Sequence, residues 1–352
     1  MKMNELGRTG IKVSELCLGS MTWGTQNTVD EGCEQIDYAM AHGINFVDTA
    51  EMYPTTPLSK ETQGDTERVI GEWVSRNKSR RDQIVLATKV SGSGYKNVRN
   101  GAPISAETIE EALHSSLRSM QTDYVDLYQL HWPNRGSYAF RQGWTYDPTG
   151  QDTKEVLAHM ESVLAALDKH VKAGKIRAIG LSNESAWGTA NWLRIAEENA
   201  YPRMASVQNE YSLMYRAFDL DMAELSHHED VGLLSFSPLA CGLLTGKYLG
   251  FGGDERPEGS RASVSAANLG GRWTDTAHEC VAAYSEVADK HGLDITQMAL
   301  GWCLTRSFMT SAIFGATTME QLKTAIGSAK IEFNDELMED ILTVYKRYPA
   351  PY

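Results

Sequence analysis

A closed (β/α)₈ TIM barrel, an α/β fold with an N-terminal β-hairpin and a C-terminal helix, is predicted by three features of this 352-residue sequence. Eight short β-branched runs recur along it, helical stretches separate them, and each run is apolar almost throughout, as parallel strands covered on both faces must be. Eight such strands joined by helices fit a closed cylinder better than an open doubly wound sheet.

Ahead of the first run, NELGRTGIKVS places Arg8-Thr9-Gly10 between two short extended stretches, a hairpin expected to close the barrel's bottom. The runs then begin at Ser14 (SELCLGSM), Ile44 (INFVDTA), Ile84 (IVLATKV), Val125 (VDLYQLHW), Ile176 (IRAIGLSN), Met204 (MASVQNEYS), Val231 (VGLLSFSPLA) and Ser311 (SAIFGATT). Segments 31–42, 107–120, 153–172 and 218–228 repeat apolar residues at helical spacing, so each covers one face of the sheet. The polar stretches 91–103 and 133–152 are too long for simple βα turns and are expected at the rim of a substrate pocket. Tyr138, Phe140, Trp144 and Tyr146, with Trp23 and Trp132, give that pocket an aromatic lining, or else pack the loop onto the barrel. No internal repeat, low-complexity tract or Pro-rich linker interrupts the chain, so one domain over residues 1–352 is the simplest organisation.

Composition narrows the function. Hydrophobic residues at 42% and charged residues at 22% match a chain with a large core and exclude a disordered one. A net charge of −13 opposes general attraction to nucleic acid or anionic membranes. No stretch approaches the roughly 18 apolar residues that span a bilayer, and the N-terminus lacks a signal's apolar core, so a cytoplasmic protein is expected. Five scattered cysteines without C-x-x-C spacing and nine histidines without H-E-x-x-H suggest neither disulfides nor a metal site.

In such barrels the chemistry lies at the carboxyl ends of the strands. There the second run carries Asp48, the third Lys89 and the fourth His131, with Tyr53 just beyond Asp48. Lys89 and Asp48 are each expensive to bury alone, and pairing offsets much of that cost. A lysine ammonium near Tyr53 is expected to pull the phenol below its ordinary pKa of about 10, making it a usable proton donor. His131 is placed to polarise a carbonyl oxygen. Taken singly, Tyr53 beside Met52 and Pro54 also reads as a packing residue, His131 as a core histidine and Asp48 as a turn cap; it is their coincidence at strand ends that points to hydride transfer followed by protonation.

No G-x-G-x-x-G follows the first run, which argues against a Rossmann domain. Barrel phosphate sites lie instead after the last strands. The candidates are residues 242–247, from Gly242 to Lys247, and residues 315–318, from Gly315 through Thr317, the second leading into a helical pattern that a plain cap also explains. Phe236 offers a flat face for a nicotinamide, or else fills the core.

The pieces VDTAEMYP, ATKVSG, TDYVDLYQLHWP, GKIRAIGLSNES, SVQNEYSLMYR, SPLACGLLTGKY and GATTMEQLKTAI together resemble the aldo-keto reductase superfamily, and within it the bacterial Tas-type proteins, from the hairpin to the last helix. The resemblance implies an oxidoreductase that reduces aldehydes or ketones, with Asp48, Tyr53, Lys89 and His131 as its catalytic tetrad and Tyr53 as proton donor to a hydride-reduced carbonyl. It implies that Ser182, Asn183 and Gln208 hold the nicotinamide carboxamide, that Phe236 stacks on its ring, and that Gly19, Ser20 and Met21 lie under its ribose. By the same likeness Ser237, Leu239, Gly242, Lys247, Ser260 and Arg261 line the pyrophosphate and adenosine region. Many similar proteins carry Arg where Gln321 stands and Glu-Asn where Thr324 and Ala325 stand. A 2′-phosphate would here fall to Thr317, Lys247 or Arg261; NADPH is the expected cofactor, with room left for NADH.

The expected partner is a small carbonyl compound, whose identity, like the oligomeric state, has no signal in the sequence. The alternative is a nucleotide-sensing binding module similar to potassium-channel β subunits, which share this fold and keep the tetrad.

Overall fold

The computed structural model describes residues 1–265 and 267–352. Strands β1 (Met3–Glu5) and β2 (Lys12–Ser14) form the expected antiparallel hairpin, with Met3 opposite Ser14 and Glu5 opposite Lys12. Between them Gly7 takes φ 55°, and a Cβ there would lie 2.6 Å from the Ala205 carbonyl oxygen, so a bare backbone is what lets the hairpin approach the barrel this closely.

Eight parallel strands follow: β3 (Leu16–Gly19), β4 (Phe46–Asp48), β5 (Val85–Val90), β6 (Val125–Leu130), β7 (Ile176–Ser182), β8 (Met204–Glu210), β9 (Gly232–Phe236) and β10 (Met309–Phe314). Neighbours pair in chain order and β10 returns to β3, closing the barrel. The run at Ser14 divides between hairpin and barrel. Its Ser14 N–H is taken by the Asn45 side chain at 2.8 Å and its hydroxyl by the Leu16 carbonyl at 2.6 Å, which turns the chain before β3 begins.

Helices α1 (Val29–Ala41), α2 (Asp65–Arg76), α3 (Ala106–Ser119), α4 (Thr153–Lys172), α5 (Ala186–Glu198) and α6 (Asp221–Glu229) join successive strands from β3 to β9. Thr28, Ser105, Asp152 and Ser185 start four of them by accepting first-turn N–H groups, which explains why those helices begin where they do. The α6 start falls later than residue 218 because Asp219 is claimed elsewhere: it accepts from Tyr211 Oη at 2.7 Å, Arg216 Nε at 2.6 Å and Arg306 Nη2 at 3.0 Å. Residues 217–219 form a separate 3₁₀ turn instead. Beyond β9 come a one-turn helix α7 (Arg261–Val264), α8 (Asp275–Lys290) and α9 (Ile295–Leu304), and after β10 α10 (Met319–Gly327) and the C-terminal α11 (Asp335–Arg347). Among the described residues no helix is long and apolar enough to cross a membrane.

The apolar residues divide into two cores. Outside the barrel, strands and helices share one large cluster; inside, Leu6, Ile11 and Val13 of the hairpin pack onto Phe46, Leu127 and Leu234 and plug the floor. The lower half is therefore dry and the polar side chains are left for the upper mouth.

On the outer wall Asp126 of β6 is fully buried. It accepts from Arg81 at 2.9 Å, Arg177 at 2.5 Å and the Leu86 N–H at 2.9 Å, tying β5, β6 and β7 together. Asp126→Ala strands the buried Arg81 guanidinium and should lower the unfolding free energy by about 3–5 kcal/mol, read from urea titrations monitored by tryptophan fluorescence.

Candidate active site

Parallel register brings the polar side chains of four strands to one level. Lys89 of β5 stands beside Gln129 of β6, and Ser182 of β7 beside Gln208 of β8. Asp48, the last residue of β4, meets Lys89 Nζ at 2.6 Å, and neither side chain is more than 4% exposed. Such a pair persists only if its remaining hydrogen-bonding capacity is filled. Lys89 Nζ also donates to the Thr49 carbonyl at 2.7 Å, while Asp48 Oδ1 accepts from Gln129 Nε2 at 3.1 Å and Gln208 Nε2 at 2.8 Å.

Tyr53 sits half-buried in the turn after β4, its ring centroid 5.0 Å from Lys89 Nζ and 5.8 Å from the His131 ring, at 77° to it. His131 follows β6, its N–H held by the Val90 carbonyl at 2.9 Å. The four residues that the sequence places at strand ends are thus together at one mouth.

Their electrostatics differ from expectation at Tyr53. Burial pushes the phenol above the ordinary tyrosine value, and the opposing pull of Lys89 does not cancel that shift. The proton is held more tightly than the sequence suggests, because removal from water penalises phenolate more than one neighbouring ammonium, itself neutralised by Asp48, can offset. At Lys89, burial works against the charge, but Asp48 and Tyr53 outweigh it and the net shift is upward. His131 is driven well below its usual value by burial and then by Lys89, so it is neutral, and its Nδ1 has no hydrogen-bond partner among the described residues.

Asn183 follows β7 in the left-handed region at φ 54°. Its side chain donates to the His131 carbonyl at 2.9 Å and to Ser182 Oγ at 3.1 Å, and Ser182 Oγ donates to the Gln208 carbonyl at 2.8 Å. The Gln208 amide nitrogen is engaged by Asp48, so this residue joins the ion pair to the neighbouring Ser182–Asn183 corner. Gly19 ends β3, and Ser20 Oγ donates to the Asp48 carbonyl at 2.7 Å. Phe236 ends β9 half-exposed.

Beyond it Ser237, Ala240, Cys241 and Gly242 all have positive φ, and the Gly242 N–H bonds the Leu239 carbonyl at 2.8 Å, coiling the chain tightly. A Cβ at Gly242 would lie 3.2 Å from Lys247 Cε. The Lys247 ammonium is shifted downward by burial and then by Arg261. Arg261 reaches Met21 Sδ at 3.9 Å. Among the described residues neither cation has a carboxylate partner, and the buried Ser260 Oγ has no partner at all. Two uncompensated cations, an orphaned hydroxyl and a glycine-lined coil fit an anionic group such as a nucleotide phosphate. At the other candidate, Gly315 is exposed and Gln321 Oε1 is folded onto Thr317, accepting its N–H at 2.9 Å and its hydroxyl at 3.1 Å, while Thr318 caps α10.

The reading of Trp23 as a rim aromatic needs revision. Trp23 lines no pocket: it is fully buried, with Nε1 donating to Gln35 at 3.0 Å. Cys241 is partly exposed, whereas the other four cysteines are buried. Gln129 was legible as a polar residue inside an apolar strand. Glu51 with Arg99, and Glu210 with Arg141 and Arg272, pair residues 48 to 69 positions apart and left no local signal.

A closed parallel barrel with a buried Lys–Asp pair, a phenol and a neutral imidazole at its mouth belongs to the class of TIM-barrel oxidoreductases. The model of the Aldo/keto reductase family matches residues 15–346. Protein tas of Escherichia coli (strain K12) is 41% identical across 100% of both chains. The uncharacterized oxidoreductase YrpG of Bacillus subtilis (strain 168) is 29% identical over 100% of this chain and 97% of its own. A putative voltage-gated potassium channel subunit beta of Schizosaccharomyces pombe is 30% identical over 96% and 90%. The chain belongs to the aldo/keto reductase family, an NAD(P)H-dependent oxidoreductase family acting on small carbonyl compounds.

The depressed His131 value has a measurable sign. Any stability linked to this group is present above the unfolded pKa of about 6.5 and is lost as pH falls through the lower folded value. In proton NMR, the His131 Cε1–H resonance, assigned through His131→Gln, should titrate with a midpoint below the ordinary imidazole value; a midpoint near 6.5 would contradict the burial argument.

Proposed function

We propose that this protein reduces aldehydes or ketones to alcohols with NADPH, and that Tyr53 donates the proton. The proximity of the Tyr53 ring to a buried Lys89 ammonium paired with Asp48, and to a neutral His131, carries this reading. When bound, the nicotinamide supplies a hydride to the carbonyl carbon.

The protein's own groups act on the carbonyl oxygen. Neutral His131 can donate a hydrogen bond there without bringing a second positive charge, and the Tyr53 hydroxyl supplies the proton. Lys89 stabilises the phenolate left behind. Its charge cannot drift away, since Asp48 and the Thr49 carbonyl hold two of its three protons. The raised phenol pKa keeps Tyr53 protonated at neutral pH, and the ammonium matters chiefly after the proton has left. Ser182, Asn183 and Gln208 are assigned to the carboxamide, Phe236 to the ring face, Gly19, Ser20 and Met21 to the ribose, and Ser237, Leu239, Gly242, Lys247, Ser260 and Arg261 to the phosphates and adenosine.

Tyr53→Phe should lower kcat for an aldehyde such as 4-nitrobenzaldehyde by at least about 100-fold while leaving nucleotide affinity nearly intact, as loss of a general acid does. Parent-like turnover removes Tyr53 from the mechanism. The preference for NADPH rests on Lys247 and Arg261. Arg261→Ala, deleting one charge-assisted contact, should weaken NADPH binding by about 10- to 100-fold and NADH binding less, measured by fluorescence titration; equal losses would place Arg261 away from the 2′-phosphate.

The relative named as a channel β subunit supports a second reading, a nucleotide sensor. Stopped-flow oxidation of bound NADPH separates them: repeated fast turnover supports the enzyme, a single slow turnover the sensor.

A further inference from the structure

Between Asp48 and Lys60 the chain carries a single charged side chain, Glu51, two residues before Tyr53. This carboxylate is only 8% exposed. It is gripped in a fork: Arg99 Nη1 donates to Oε2 at 2.5 Å and Nη2 to Oε1 at 2.6 Å, and the Ser91 N–H adds a third bond to Oε1 at 2.6 Å. Ser91 lies two residues beyond Lys89, so one carboxylate ties the turn bearing the phenol to the exit of the strand bearing the ammonium.

Loop 91–103 reaches the same turn by a second route. Tyr95 Oη donates to Gln63 Oε1 at 3.1 Å, and Gln63 Nε2 donates to the Glu51 carbonyl at 3.1 Å. The loop bends sharply to deliver the arginine: Arg99 and Asn100 both sit in the left-handed region, at φ 44° and 54°. Non-glycine residues pay roughly 1–2 kcal/mol for that conformation, which persists only when the surroundings over-determine it. The backbone of Tyr53 is held within the same turn, its N–H bonding the Ala50 carbonyl at 3.0 Å and its carbonyl accepting the Gly64 N–H at 2.9 Å, while its ring meets Lys89 and His131.

We propose that the Glu51–Arg99 fork is a positioning device that sets where the Tyr53 hydroxyl stands, so that loop 91–103, lying outside the tetrad, governs proton donation. The inference rests on the reading of Tyr53 as the donor. Arg99 touches no reacting atom; it acts through Glu51 and the turn. A bidentate guanidinium–carboxylate pair fixes both distance and plane, which a single ammonium contact does not. A displacement of about 1 Å at a reacting group costs on the order of 100-fold in rate.

The test is steady-state reduction of 4-nitrobenzaldehyde with NADPH by the full-length chain, with kcat expressed per nucleotide-binding site so that misfolded molecules do not count. Arg99→Met should lower kcat by about 10- to 100-fold with KM and NADPH affinity changed by less than about threefold, and raise the solvent deuterium isotope effect on kcat as proton transfer becomes limiting. Arg99→Lys, which keeps the charge but loses the fork, should recover only part of the loss. If Arg99→Met binds no nucleotide, the same criteria are read on the double variant Glu51→Gln/Arg99→Gln, which leaves no unpaired buried charge. A kcat per site within about twofold of the parent, with an unchanged isotope effect, overturns the proposal. Tyr53→Phe is run alongside: if that variant stays active, the donor assignment has failed instead, and the two failures are distinct.

Discussion

The buried pair between Lys89 and Asp48 is the constraint around which the upper barrel is arranged. Two full charges removed from water are tolerated only when further hydrogen bonds support them, and the supporting groups come from three strands: Thr49 beyond β4, Gln129 of β6 and Gln208 of β8. Register is therefore more than an apolar matter here. A one-residue slip of β5 or β8 would turn Lys89 or Gln208 to the outer wall and leave Asp48 uncompensated. Lys89 of the same pair adds to the burial that lowers His131, and at Tyr53 it opposes the burial that raises the phenol, while Asp48 reinforces that rise.

Around that centre the rim is held by charge rather than by grease. Three glutamates at strand ends receive arginines from loops that follow other strands. Glu51 takes Arg99, Glu184 takes Arg135, and Glu210 takes both Arg141 and Arg272. Glu210 thereby joins the loop after β6 to the long segment after β9 that carries Gly242, Lys247 and Arg261. Aromatic residues add to these forks: Trp132 Nε1 donates to the Ser93 carbonyl at 3.0 Å, and the Phe140 ring lies 6.3 Å from that of Trp132.

The barrel was legible because parallel strands buried on both faces leave unbroken apolar runs, and Asp48, Lys89 and His131 stood out as ionisable residues ending such runs. Other features depend on contacts that no local pattern encodes. The start of α6 is displaced by Arg306, 87 residues from the Asp219 it binds. Trp23 looked like a rim aromatic but is packed inside against α1, where Gly32 leaves room for Val69 and for the Trp23 ring, 2.6 and 3.3 Å from a Cβ there. The direction of the Tyr53 shift could not be read from spacing either, because the presence of a lysine is written in the sequence while the extent of desolvation is a property of the packed mouth.

Charge poses the last question of design. An acidic chain of net −13 repels an anionic nucleotide at long range, yet screening confines that repulsion to roughly 8–10 Å at ordinary salt. Within that distance the field is set locally, where Lys247 and Arg261 stand without carboxylates. Burial, and then repulsion from Arg261, already loosen the Lys247 proton. A phosphate placed between them would reverse both effects, favouring the charged lysine and relieving the repulsion at once. On the reading proposed above, affinity is concentrated at the nucleotide's anionic end, which meets these two cations, while the nicotinamide end is left to orientation by hydrogen bonds.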